Sequence, residues 1–163
     1  MNAQVPSDGA TASAFVLAEL ELEQRADIDF GQVARSSSPN LNPVTGAATA
    51  GAGLNGTTTS IGKFELKGED GASIDVSWEK EDLSGPVGSA AIVYTPSVSY
   101  GAVNGDFGGG VISDESGDPL AANNLAIDTG GTNYFWVGGT ITVDAAQEAG
   151  SYEGSFTLTV EYN

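Results

Sequence analysis

The 163-residue sequence contains no cysteine and no histidine. The first absence excludes a disulfide framework, a thiol nucleophile and thiolate-bound zinc or iron–sulfur sites. The second excludes a Ser-His-Asp triad, an imidazole general base and a histidine-bound metal. We therefore predict that the protein is not an enzyme and that it carries no cofactor and no metal centre.

Basic residues are also scarce: 5 Lys and Arg stand against 22 Asp and Glu, for a formal net charge of −17. Such a chain repels phosphate backbones and anionic lipid, so we expect no nucleic-acid partner. No run of about 18 apolar residues occurs, which predicts no membrane insertion. The start, Met1 to Pro6, lacks the basic and apolar regions of a signal peptide. Either the protein is cytoplasmic, or a signal peptide has been removed from it.

The composition nevertheless predicts a folded chain. Hydrophobic residues make up 40% of the sequence and aromatic residues 8%, which is too rich for a disordered protein despite the charge. Residues 1–13 are small and polar and predict an N-terminal arm. The length predicts a single domain over residues 14–163.

The N-terminal part of that domain alternates between apolar and polar residues. From Ala12 to Leu22 an apolar residue occupies every second position, which predicts one long strand. Ala, Leu and Glu also favour helix, so a helix from Ala14 to Gln24 is the alternative. In the next alternating stretch, Ile28 and Phe30 are predicted to point inward.

Further strands are predicted in the middle of the chain. Lys63–Lys67 and Ser73–Trp78 alternate and flank Gly68–Gly71, which indicates a β-hairpin. Ala90–Tyr94 is typical of a buried strand, and we expect it to stop before Pro96.

The C-terminal part has the clearest patterning. Tyr134–Val137 and Thr140–Val143 predict strand segments whose inward positions slip by one residue at Gly138-Gly139, a slip that a β-bulge would absorb. The last strand is predicted to face inward with Tyr152, Phe156, Leu158, Val160 and Tyr162. Many short strands without a convincing helix predict an all-β, antiparallel β-sandwich.

Several local patterns could carry chemistry, and each has a simpler interpretation. Gly51–Gly56 matches G-x-G-x-x-G, but three threonines follow where a helix must begin. Ser60–Lys63 matches S-x-x-K without its companion motifs. Asp114–Asp118 could offer carboxylates to Ca²⁺, but its spacing is not that of an EF-hand, and a solvated turn explains it. An aromatic platform for sugars is a further possibility, although we interpret its members as core: Trp78, Tyr94, Tyr100, Tyr134 and Trp136.

The C-terminal strand resembles that of bacterial chaperone–usher pilins and the related spore-coat-U-like surface proteins. These families end on an alternating apolar strand with a penultimate Tyr, preceded by a Gly fourteen residues from the end. Here Tyr162 is penultimate and Gly150 is the fourteenth residue from the end. The Gly-x-Tyr-x-Gly motif formed by Gly150, Tyr152 and Gly154 also resembles an uncharacterised family of secreted bacterial surface domains. Val16–Leu22 and Asp29–Val33 look like the first two strands of a pilin.

The resemblance implies an immunoglobulin-like sandwich that lacks its final strand. A neighbouring copy's N-terminal arm would fill the resulting groove by β-strand addition. The implied groove residues are Val16, Leu20 and Leu22 on one side and Phe156, Leu158, Val160 and Tyr162 on the other. The implied donor residues are Val5, Ala10, Ala12 and Ala14, which are small for this role, so Phe15 and Val16 could take part. The chain also lacks the disulfide that many pilins carry.

Two hypotheses of function follow. In the first, the protein is a secreted subunit of a cell-surface filament or coat that assembles head to tail with itself. A periplasmic chaperone and an outer-membrane usher would assist it, because an open sheet edge otherwise aggregates. In the second, the domain completes its own sheet and is a surface binding module that presents loops 36–56 and 101–133 to a glycan or a host surface.

Overall fold

The computed structural model describes residues 11–48, 58–112 and 122–163. Their regular elements are strands, and no helix occurs among them. In the described part of the chain no helix is therefore long and apolar enough to cross a membrane. The strands are β1 (Glu21–Ala26), β2 (Asn40–Leu41), β3 (Gly62–Lys67), β4 (Ser73–Lys80), β5 (Val93–Gly101), β6 (Gly110–Val111), β7 (Ala122–Ala126), β8 (Thr132–Thr142) and β9 (Phe156–Tyr162).

These strands form two antiparallel sheets. The six-stranded sheet has the order β1-β3-β8-β5-β6, with β2 paired to β8 beyond the end of β3. The three-stranded sheet has the order β7-β4-β9. Apolar side chains from both sheets, including Leu66, Val98 and Phe135 from the larger and Ile74, Trp78 and Leu158 from the smaller, form one buried cluster. The predicted all-β antiparallel sandwich is confirmed.

Strand β8 lies at the centre of the larger sheet. Its pairing with β5 runs without a break from Val93 opposite Thr142 to Gly101 opposite Tyr134. No β-bulge therefore interrupts this pairing at Gly138-Gly139, and that part of the prediction is wrong. The predicted slip of the inward positions is confirmed, because Tyr134, Trp136, Ile141 and Val143 belong to one buried cluster, whereas Phe135 and Val137 pack with Val98 in the other.

Tyr134 and Trp136 alternate with Phe135 and Val137 and so lie on the other face of β8, where they are also buried. The loop after β5 covers this face: Trp136 Nε1 donates to the Gly105 carbonyl at 3.2 Å. Ser99 Oγ donates to the Gly108 carbonyl at 2.6 Å. Both faces of β8 are thus apolar and buried. Its sequence therefore lacks the alternation of apolar and polar residues that distinguishes a buried face from an exposed one.

The segment Gly68–Gly71 joins the two sheets. It was predicted to close a hairpin, but β3 pairs with β1 and β8, whereas β4 pairs with β7 and β9. The hairpin prediction is wrong because β3 and β4 belong to different sheets. Each strand has an apolar face, and the two faces pack into the same buried cluster from opposite sheets. Local turn chemistry does not distinguish a hairpin from such a crossover.

Strand β5 continues through Pro96, against the expectation that it would stop there. Pro96 is opposite Gly139 on β8, and β6 covers only Ser99 and Tyr100 on the other side of β5. At Pro96 the strand is therefore an edge on one side, where proline is tolerated because no ladder hydrogen bond needs its missing N–H.

The first strand is shorter than predicted. Residues 11–20 have no regular secondary structure, so neither the long strand from Ala12 nor the alternative helix from Ala14 forms, and β1 begins at Glu21. Phe30 is buried and Ile28 half-buried, as predicted. The aromatic core interpretation is confirmed for Trp78, Tyr94, Tyr134 and Trp136.

Candidate functional site

β1 is an edge of the larger sheet and β9 is an edge of the smaller one. The two edges lie on the same side of the sandwich, because Tyr162 at the end of β9 bonds Ala18 just before β1 and Phe156 packs against Phe64 of β3. Among the described residues β9 pairs only with β4, in an unbroken register from Ile74 opposite Tyr162 to Lys80 opposite Phe156. An edge strand presents N–H and C=O groups along its free side, so β9 offers a template for a further strand.

A cleft of about 1040 Å³ opens into the core on this side. One wall is the chain from Ala26 to Val33, and the other is the chain from Gln147 to Phe156. The floor is largely apolar and is formed by Phe64, Leu83, Ile92, Tyr94, Ile141 and Val143. These side chains belong to the core or pack against it, so the cleft exposes part of the sandwich interior.

The first wall is held by a bridge to Ser60 and by a local turn. Asp29 and Ser60 exchange two backbone hydrogen bonds of 3.0 and 2.9 Å. Gly31 has φ 65°, a conformation that glycine adopts at little cost, and its N–H donates to Asp29 Oδ1 at 2.7 Å. This turn places Phe30 edge-on against Tyr94, with ring centroids 6.0 Å apart.

The second wall is the Gly-x-Tyr-x-Gly motif. A side chain at Gly150 would overlap Pro86, and one at Gly154 would overlap the backbone of Glu81. The Tyr152 ring lies where a side chain at Gly85 would be. The motif glycines are therefore needed because the wall packs directly against residues 81–86.

Hydrogen bonds fix Tyr152 in this wall. Its hydroxyl donates to the Glu148 carbonyl at 2.9 Å and accepts from Gln147 Nε2 at 2.9 Å. Gln147 Nε2 also donates to the Ala90 carbonyl at 2.6 Å. Gln147 is buried, and these two bonds give its amide nitrogen two acceptors. The wall is thus preformed.

The floor carries no charge that a ligand would have to neutralise. Tyr94 donates its hydroxyl to the Gly138 carbonyl at 2.7 Å, and burial raises the pKa of this phenol. Asp82 accepts from Tyr94 N at 3.1 Å and from Lys80 Nζ at 2.6 Å. The hydrogen bond from Lys80, followed by that from Tyr94, holds the pKa of Asp82 below its ordinary value. An apolar segment fits this floor better than a polar or charged ligand.

Residues 11–17 form an exposed segment ahead of β1. Phe15 is 77% exposed, Val16 85% and Leu17 42%. Three consecutive apolar residues at such exposure are unusual on a monomer with an acidic surface. The segment has no regular secondary structure and no regular partner strand among the described residues.

The predicted groove residues occupy different places. Phe156 lines the cleft. Leu158 is buried, and Val160 packs half-buried against the core. Leu20 and Tyr162 lie together at the end of β9, where both approach Gly68. Val16 and Leu22 are exposed, and neither lines the cleft.

The predicted donor residues are only partly described. Val5 and Ala10 lie outside the described residues, and Ala12 and Ala14 are exposed. Sequence reasoning missed Ile92, Ile141 and Val143 as part of the cleft, because a buried strand residue looks the same in sequence whether or not a cleft reaches it. The Phe30 stretch and the Gly-x-Tyr-x-Gly motif were recognised, but not as opposite walls.

The other sequence patterns provide no competing site in the described residues. Gly51–Gly56 and Asp114–Asp118 lie outside them. Ser60 Oγ donates to the Asp27 carbonyl at 2.7 Å, while Lys63 Nζ donates to Asn104 Oδ1 and lies 5.0 Å from the centre of the Tyr134 ring. Within residues 11–48, 58–112 and 122–163 no three acidic side chains group so as to hold a metal.

Residues 20–162 match the family described as Domain of unknown function (DUF4402). The chain belongs to this DUF4402 family. The matched region contains both cleft walls, the cleft floor and β9, and it begins just after the exposed segment 11–17. No curated protein matches the sequence.

Proposed function

We propose that this DUF4402 protein is a structural subunit of a bacterial cell-surface filament or coat. In this assembly the exposed segment of one copy enters the cleft of the next and pairs with β9. The observation that carries the proposal is the cleft with its apolar floor, which reaches Phe156 at the start of β9, together with the edge of β9 that is unpaired among the described residues. Strand addition at such an edge uses main-chain hydrogen bonds for affinity and side-chain pockets for specificity.

The donor segment has suitable side chains. In an extended strand Phe15 and Leu17 point to one side, and Ala12, Ala14 and Val16 to the other. Residues 11–17 would span roughly 23 Å at about 3.3 Å per residue. Burying Phe15 and Leu17 in the apolar floor would contribute about 1.5–3 kcal/mol for each side chain. The bulky plugs of the donor strand are therefore Phe15 and Leu17, in place of the small residues Val5 and Ala10.

The surface chemistry is consistent with a position outside the cell. Glu19, Glu21, Glu153 and Glu161 are exposed, and the net charge of −17 keeps free subunits soluble and apart. The proposal includes secretion and a periplasmic chaperone that covers the cleft before an outer-membrane usher assembles the subunits. Such protection is needed because the free edge of β9 is a template for uncontrolled pairing.

The test compares the whole chain with a variant that lacks residues 1–17. The whole chain should form a ladder of oligomers in mass photometry and filaments in electron micrographs, whereas the truncated chain should stay monomeric. Because the copies repel each other, raising the ionic strength should speed assembly. A whole chain that remains monomeric at all protein and salt concentrations would contradict the proposal.

A pair of matched variants distinguishes strand donation by residues 11–17 from non-specific association through exposed apolar side chains. Phe15→Glu with Leu17→Glu should abolish assembly. Val87→Glu with Val103→Glu changes two other highly exposed apolar residues and should leave assembly intact. A synthetic peptide of residues 11–18 should bind the truncated chain, and the same peptide with the two glutamates should not. Equal assembly by both double variants would refute strand donation by this segment.

A second candidate, the self-complete binding module, has an observation of its own. The loop over Trp136 exposes Val103 and Phe107, and Val111 is exposed on the adjoining β6. These side chains could contact a glycan or a host surface. A glycan array decides in its favour if monomers bind a defined sugar and Phe107→Ser removes that binding.

A further inference from the structure

We infer that Tyr162 and Glu69 clamp the chain at Ala18 and so fix the base of the exposed segment, directing residues 11–17 away from their own subunit and towards a second copy. The direction towards a second copy rests on the proposed function, whereas the clamp itself is a set of contacts within one chain.

Three hydrogen bonds form a closed ring at this point. Ala18 N donates to Glu69 Oε2 at 3.1 Å. Glu69 N donates to the Tyr162 hydroxyl oxygen at 2.7 Å. Tyr162 in turn donates its hydroxyl to the Ala18 carbonyl at 2.8 Å. Both backbone polar groups of Ala18 are thereby satisfied, although Ala18 belongs to no strand.

The ring is seated on the crossover between the two sheets. A side chain at Gly68 would overlap Leu20, Ile127 and the Tyr162 hydroxyl, so all three pack directly against the Gly68 backbone. Glu69 follows β3 of the larger sheet, and Tyr162 ends β9 of the smaller one. The clamp therefore ties the start of the domain to both sheets at once.

Apolar side chains differ in exposure on the two sides of the clamp. Phe15, Val16 and Leu17 on its N-terminal side are exposed, whereas Leu20 packs half-buried against the core. The cleft lies towards the Phe156 end of β9, and the clamp lies at its Tyr162 end. The segment thus leaves the subunit at the opposite end of β9 from the cleft. A fixed base reduces the conformational freedom that the segment loses when it binds.

The test uses Tyr162→Phe, with Tyr100→Phe as the matched control. Tyr100 donates its hydroxyl to the Ala126 carbonyl at 2.9 Å, so the control also removes one phenol-to-carbonyl bond, but outside the clamp. Both changes are made with Phe15→Glu and Leu17→Glu, which should keep the protein monomeric. The Glu69 and Ala18 amides should exchange roughly fivefold to tenfold faster in Tyr162→Phe than in Tyr100→Phe.

A spin label reports the position of the chain directly. The sequence has no native cysteine, so Glu19→Cys, at an exposed position beside the clamp, gives a unique attachment point. The label should be more mobile in Tyr162→Phe and unchanged in Tyr100→Phe. Equal amide exchange and equal label mobility in the two variants would overturn the clamp.

Assembly is then measured with the native Phe15 and Leu17. Tyr162→Phe should assemble several-fold more slowly than Tyr100→Phe at the same concentration. Equal assembly rates, together with a loosened label, would overturn the directing role of the clamp. If neither variant nor the native chain assembles, the proposed function fails, while the exchange and label data still decide the clamp.

Discussion

Strands β8 and β9 contribute much of the core, but they are used in opposite ways. Strand β8 pairs with β3 and β2 on one side and with β5 on the other, and both of its faces are buried. Strand β9 pairs with β4 alone among the described residues, and one of its faces is exposed. The difference is that β8 is enclosed on both edges and both faces, whereas β9 has one edge without a partner strand among the described residues.

The largest effect should come from Trp136 at the centre of β8. Its side chain is fully buried and its indole N–H is bonded to the Gly105 carbonyl. Trp136→Ala should lower the free energy of unfolding by about 3–5 kcal/mol, because it leaves a large cavity. Urea denaturation measures the change, with Val87→Ala as an exposed control. A loss below about 1 kcal/mol would show that the core does not depend on β8 as described.

Substitution of Gly139 should have the second largest effect on the free energy of unfolding. It has φ 124°, and a side chain there would overlap the Thr95 carbonyl on β5. Gly139→Ala should cost about 2–3 kcal/mol in the free energy of unfolding, from backbone strain and the overlap. Gly130 is the matched control, since it has φ 106° with open space around it. Gly130→Ala should cost less, and equal costs would mean that the β5–β8 contact is looser than described.

Substitution of Phe156 tests the part of β9 that lines the cleft. It lines the cleft and packs half-buried against Phe64 and Trp78, with ring centroids 6.2 and 6.3 Å apart. Phe156→Ala should cost about 1–2 kcal/mol, less than Trp136→Ala, because the site is already open. The same variant should bind the peptide of residues 11–18 at least tenfold more weakly. Unchanged peptide binding would place the donor segment elsewhere.

The smallest effect concerns pH. The hydrogen bonds from Lys80 and Tyr94 lower the pKa of Asp82 in the folded state, so its stabilisation is present above the unfolded pKa of about 3.9 and is lost as pH falls through the folded value. Asp82→Asn should therefore lower the melting temperature at pH 7 and make less difference at pH 2. With Lys80→Ala already present the effect at pH 7 should shrink; an undiminished effect would point to another cause.

The sequence allowed some of this architecture to be predicted. One face of β9 is buried and the other is solvated, so Phe156, Leu158, Val160 and Tyr162 alternate with exposed residues, and the inward set could be predicted. Strand β8 has no such contrast, and although its inward residues Tyr134, Trp136, Ile141 and Val143 were predicted, the β-bulge at Gly138-Gly139 was not found in its pairing with β5. The crossover at Gly68–Gly71 could not be told from a hairpin, because sheet choice depends on long-range packing.

The candidate site was predicted in outline and missed in detail. The C-terminal motif pointed to the right region, but the cleft is formed where residues 26–33 stand apart from residues 147–156. That separation depends on the Asp29–Ser60 bridge and on the packing of Tyr152 over Gly85. Neither contact leaves a local pattern in the sequence. The exposed Phe15-Val16-Leu17 triplet looked like the start of a strand because apolar residues usually indicate burial.

The clamp at Ala18 has a mechanical consequence. In a filament of the proposed kind, tension on residues 11–17 would enter the domain just before β1. Without the clamp, that tension would break the β1–β3 ladder one pair at a time, starting at Glu21 opposite Lys67. With it, Tyr162 and Glu69 share the load between the two sheets before the ladder is stretched. In such a filament, a protein without any disulfide would thus have a hydrogen-bonded anchor at the point where a neighbouring subunit would pull.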